Sequence, residues 1–194
     1  MSNTYNATLV EVTKKFPKFK LVKKSDSLLM KIFNIFFLIF SFGSNKVFMT
    51  HVTTTIGYTV YIPSRWLSMS AFSRVEILNH EAVHMTQRKK IGFLFFFLYL
   101  LFPLPIFFAY YRTKFEKEAY AESLRQMVKY YGIEVLDDPK LKSSMVSHFT
   151  SGQYLWMWIL KSSIETWFDQ TVQSLKDNFV EEDQEPTPPS MLAP

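Results

Sequence analysis

Residues 91–111 (IGFLFFFLYLLFPLPIFFAYY) form an uncharged, mostly apolar run between Lys89–Lys90 and Arg112, and they restrict the available folds more than any other stretch. Hydropathy alone reads the run as a transmembrane helix. Pro103 and Pro105 oppose that reading, because proline lacks the backbone N–H and its ring clashes with the preceding turn. The residues on either side decide between a span and a reversal of the chain.

Before the run stands His80-Glu81-Ala82-Val83-His84, an HExxH pattern. Val75, Leu78, Ala82 and Met85 recur at helical spacing, whereas Ile77, His80, His84 and Gln87 fall on another side. Ser73 followed by Glu76 reads as a capping box at the helix start. Two imidazoles four residues apart share one helix face and can ligate one metal ion, with Glu81 beside them to move a proton. The chain has no cysteine, so disulfides and thiolate metal sites are excluded and any metal must be held by His, Asp or Glu.

A catalytic zinc takes three protein ligands and a water. After the apolar run, RTKFEKEAYAE (112–122) offers Glu116, Glu118 and Glu122. Tyr120, Leu124, Met127 and Tyr131 define the inward stripe of a helix over 113–131, and Glu116 lies one turn before Tyr120 on that stripe. Glu118, Glu122, Arg125 and Lys129 form a separate polar stripe suited to solvent. A carboxylate on a buried stripe needs a partner or a metal, which favours Glu116 as third ligand. Thr113 and Glu116 also match a capping box, so a helix cap is the competing role. His51 and His148 are weaker rivals, since neither belongs to a pattern.

If 91–111 crossed a bilayer as one straight helix, its ends would stand about 30 Å apart. Glu116 would then be far from a zinc ion that needs its oxygen at about 2 Å. The spacing therefore predicts an apolar hairpin that turns near Phe102–Pro105 and returns both ends to the site. Such a hairpin is buried in the domain, inserted shallowly in a membrane, or used to bind a partner.

HEAVHMTQ followed by FEKEAYAE is similar to the gluzincin metallopeptidases, in which HExxH is joined by a downstream glutamate. That family's later helix often carries Glu-x-x-x-Asp; here Glu116 matches the glutamate and Tyr120 stands in place of the aspartate. Residues 80–122, with their Pro-Leu-Pro insert, also look like short metallopeptidases encoded by phages and bacteria. The resemblance implies a zinc ion held by His80, His84 and Glu116, with Glu81 as general base for peptide hydrolysis. It also implies that strand 52–62, just before the helix, is the edge on which an extended peptide or protein substrate lies. An oxyanion donor is needed too; Tyr154 is the first choice, followed by Tyr61 and His148.

The expected fold is α+β and predominantly helical: a zincin-like minimal domain with a small antiparallel sheet or hairpin before the HExxH helix. The strand signal is 47–62, rich in β-branched and aromatic residues and closed by Pro63. Residues 47–180 make up that domain, apolar hairpin included. Residues 1–46 comprise an irregular or weakly strand-forming basic arm and an apolar amphipathic helix over 28–42. That helix is short for a membrane span, and it follows too many lysines for an ordinary signal peptide. A short helix to about 149 and a long amphipathic one at 153–176 come next, and the acidic, proline-rich residues 181–194 are expected to be disordered.

The net charge of +5 is polarised, with Lys14, Lys15, Lys18, Lys20, Lys23 and Lys24 near the N-terminus and acids near the C-terminus. That suits an anionic membrane surface or a solvated arm. No nucleic-acid module is recognisable. The expected location is membrane-associated or cytoplasmic, or in a virion. Beside peptide hydrolysis stands one alternative: a non-catalytic structural protein, contacting membrane or virion, that keeps a zincin scaffold.

Overall fold

Apolar residues spaced three and four apart lie hidden among the N-terminal lysines, and they organise that segment. Tyr5, Leu9, Val12 and Phe16 lie along one side of α1 (Ser2–Lys15) and its exit, with Val12 and Phe16 buried. In the computed structural model, which describes residues 2–40, 47–100, 109–151 and 157–184, the expected irregular arm is therefore a helix followed by strand β1 (Lys20–Lys23). Lysine content had masked the stripe.

Lys24, read from sequence as part of a basic arm facing a membrane surface or solvent, is 1% exposed. Its Nζ donates to the Phe48 carbonyl oxygen at 2.9 Å and lies 3.4 Å from the centre of the Phe48 ring. Burial lowers this ammonium to about 7, against the opposing pull of Glu81. Helix α2 (Leu28–Phe40) follows, burying Met30 and leaving Leu28, Ile32, Ile35 and Ile39 exposed.

The strand-rich segment forms a hairpin, β2 (Thr54–Ile56) and β3 (Thr59–Ile62). Gly57 turns it at φ +69°, a conformation costly for a residue with a Cβ. These two strands pair antiparallel, but β1 joins β3 in parallel, Lys20 opposite Thr59, so the sheet is mixed with order β1-β3-β2. The expected antiparallel sheet lacked β1. Residues 52–62 are also not one edge strand: β3 is central, and the hairpin's free edge is β2.

Helix α3 (Ala71–Ile91) carries HExxH. Its cap is Ser70, whose side chain accepts from the Ser73 N–H at 3.0 Å, so Glu76 lies inside the helix and not in the expected capping box. Val75, Leu78, Ala82 and Met85 are buried, and the last three join Val12, Phe16, Val60, Ile62 and Trp66 in one core. Gly92, at φ +70°, breaks the path between α3 and α4 (Leu94–Leu100).

Helix α5 (Tyr110–Tyr131) starts three residues earlier than the periodicity implied. Its cap position is Ala109, which makes no side-chain cap bond; Thr113 already lies in the helix, which removes the capping-box role for Glu116. The chain then forms α6 (Pro139–Thr150), capped by Asp138 accepting from the Lys140 N–H, and α7 (Lys161–Gln184). Ile164 and Phe168 of α7 pack with Leu124, Phe149 and Met145 in cores on the far side of α5. Helix α7 begins later than expected, leaving Leu160 half exposed, and it includes residues 181–184, expected to be disordered. The turn at Phe102–Pro105, Tyr154 and residues 185–194 lie outside the described residues.

Candidate metal centre

Packing of α3 against α5 joins residues far apart in sequence. The sheet and α1 cover one side of α3, so its histidine side is left for α5. His80 Nε2 lies 3.3 Å from Glu116 Oε2, and His84 Nε2 lies 3.6 Å from Glu116 Oε1. One ligand atom from each of the three lies within 4.8 Å of the others. Donors at zinc distances in a tetrahedron stand about 3.3 to 3.4 Å apart, so two imidazole nitrogens and a carboxylate gathered this closely form a donor set that could hold a metal ion. His84 and Glu116 are each 7% exposed, and few side chains of this charge are so deep without a partner or metal.

The partners of each ring determine which nitrogen faces inward. Gln87 Nε2 donates to the Phe115 carbonyl oxygen at 3.0 Å and to Glu118 Oε2 at 2.9 Å. That orients its Oε1 toward His84 Nδ1, 3.0 Å away, which must then carry the proton. His84 Nε2 is then the nitrogen that faces Glu116: protonated, it donates there, and its lone pair is what a metal ion would take in place of that proton. Glu118, assigned from periodicity to a solvated face, thus accepts from Gln87 at the edge of the site.

His80 Nδ1 lies 3.4 Å from the hydroxyl of Ser123, which is fully buried. Tyr120 meets His80 ring edge to ring at 4.7 Å and stacks on His148 at 5.2 Å. His148 is therefore one ring removed from the triad. Glu76 also reaches this corner: burial raises its carboxyl, while a hydrogen bond with Ser123 and the nearby His80 work against that rise.

Burial alone would raise the Glu116 carboxyl. The charge of His84 and hydrogen bonds from both histidines overcome it and hold Glu116 well below the usual carboxylate range. Burial would likewise lower His84, but the Glu116 charge and hydrogen bond, then Glu81 and Gln87, push it up to about 9. Glu81, the next residue after His80, is 8% exposed and close enough to influence His84.

Sequence reasoning missed Tyr99 at the site. Its hydroxyl donates to Glu116 Oε1, and its ring meets His84 edge to ring at 5.6 Å. Tyr99 is an uncharged member of the apolar run, with no polar spacing to distinguish it from its neighbours. Tyr99 is thus hydrogen-bonded to the triad, whereas Tyr61 lies on β3 and His51 bonds with Thr50 on an exposed turn. The Tyr99 contact, with Phe95 against Phe115 at 5.0 Å, also folds the first leg of the apolar run back over the centre. No helix among the described residues is long and apolar enough to cross a membrane.

No protein-family model matches this sequence, and comparison with curated proteins and with solved structures finds no match either. The centre therefore stands on its own geometry: a buried His-His-Glu group able to hold a metal ion.

Proposed function

We propose that the protein is a metal-dependent hydrolase of peptide bonds, a gluzincin-type metallopeptidase built on a minimal zincin-like fold. The meeting of His80, His84 and Glu116 across α3 and α5, with Glu81 adjacent, carries this reading. Nε2 of each histidine and the Glu116 carboxylate would hold the ion, for which zinc is the choice on donor type. A zinc ion so held supplies Lewis acidity and makes water a nucleophile near neutral pH.

The protein's own groups do the rest. Glu81 takes the proton from the attacking water and passes it to the leaving amine as the C–N bond breaks. Gln87 keeps the His84 proton on Nδ1. The ring of Tyr120 confines His80, and Tyr99 restrains Glu116. Strand β2 offers the outer edge along which an extended peptide can pair.

The test separates metal from chemistry. Zinc content by mass spectrometry should be about one per chain for wild type and Glu81→Gln, and much lower for Glu116→Gln. Peptide hydrolysis should survive only in wild type. A Glu81→Gln protein with full hydrolytic activity would remove the proposed base, and equal zinc in Glu116→Gln would remove the third ligand.

A further inference from the structure

The apolar run has two different sides where it is described. Phe95 and Tyr99 of α4 point in, against Phe115, His84 and Glu116. Phe93, Leu94, Phe96 and Phe97 point out, exposed by 70%, 55%, 41% and 41%. Four neighbouring large apolar side chains in water form the kind of patch that marks an interaction surface.

Charge selects the occupant. From Ala82 to Phe115 the sequence contains no aspartate or glutamate, while Lys89 and Lys90 are exposed on the last turn of α3, directly before the patch. A second copy docking face to face would bring these lysines toward their equivalents, which repel. An anionic lipid surface instead attracts the lysines and accepts the phenylalanines at its headgroup–acyl boundary. Helix α4 has seven residues, enough to dip into an interface and far too few to span one.

We propose that α4 docks the protein on an anionic phospholipid bilayer, with Phe93, Leu94, Phe96 and Phe97 inserted and Lys89 and Lys90 at the headgroups. Because the inner side of the same short helix touches His84 and Glu116, the metal centre then lies within about one helix diameter of the membrane surface.

Flotation of the full chain with vesicles tests this without any substrate. Wild type should float with vesicles of phosphatidylcholine and phosphatidylglycerol at about 7:3, and at least tenfold less with phosphatidylcholine alone. Phe93→Ser/Phe97→Ser should reduce flotation at least tenfold while circular dichroism shows the fold retained, since Phe93 is 70% and Phe97 41% exposed. Lys89→Glu/Lys90→Glu should do the same, provided the fold is likewise retained. Wild type remaining in solution with both vesicle types would overturn the proposal, as would a phenylalanine double variant that floats normally. A wild-type dimer abolished by that variant, without flotation, would assign the face to a second copy and also overturn it. Lipid binding does not require zinc, so its loss and the loss of the hydrolase reading are separate results.

Discussion

Gln87 is held by three partners, and that makes its orientation consequential. With both amide hydrogens committed to the Phe115 carbonyl and Glu118, its oxygen can only accept from His84. Gln87→Leu keeps a similar volume but frees His84 to place its proton on either nitrogen. Zinc affinity, measured by competition with a chelator, should fall about 10- to 100-fold; unchanged affinity would show that Gln87 does not orient the ring. Lys24 gives a second prediction. In the unfolded chain it titrates near 10.5, in the fold near 7. Between those values the unfolded state binds more protons, so stability gains from this group as pH rises from about 7 toward 10.5. Lys24→Met removes the buried ammonium. Its unfolding free energy should exceed wild type most at pH 6, and the advantage should shrink by on the order of 2 kcal/mol by pH 9. An advantage independent of pH would mean that Lys24 is solvated in the fold.

At the scale of elements, the decisive arrangement is α3 between two unlike neighbours. Its Leu78–Ala82–Met85 side meets α1 and β3, and its His80–His84–Gln87 side meets α5. Helix α1 is thus part of the wall behind the metal centre. Phe16, 3% exposed at its exit, touches this core and packs near Tyr58 with ring centres 6.0 Å apart. Phe16→Ala should destabilise by about 3 to 5 kcal/mol in denaturant unfolding. A loss below about 1 kcal/mol would return the N-terminal segment to the status of an appended arm. The HExxH helix, the β2–β3 hairpin and the short helix after Asp138 were all legible, because each has an apolar period or a defined cap or turn. Helix α1 was obscured by its lysines, and the start of α5 was misplaced because Ala109 offers no side-chain cap.

Across the whole molecule, a metal ion held by this group would link binding to folding. His80 and His84 belong to α3 and Glu116 to α5, so unfolding disperses the ligands, and a chain without cysteine offers zinc little in return. At a free zinc concentration 100 times the dissociation constant, the native state gains about 2.7 kcal/mol. For a chain of this size that raises the melting temperature by roughly 5 to 10 °C. Differential scanning calorimetry should show the rise, its reversal by chelator, and its absence in Glu116→Gln. A zinc-independent melting temperature in wild type would contradict a site formed only in the native state.

Local periodicity alone determined that His80 and His84 share a helix face and that Glu116 lies on the inward side of a later helix. Those are properties of short segments, and spacing encodes them. Tertiary structure alone decided how α3 and α5 pack, and with that the nitrogen each imidazole presents, the entry of Tyr99 and Glu118 into the site, and the burial of Lys24. Each of these depends on a contact between residues 17 to 31 apart in the chain, whose approach is set by tertiary packing and leaves no period in the sequence.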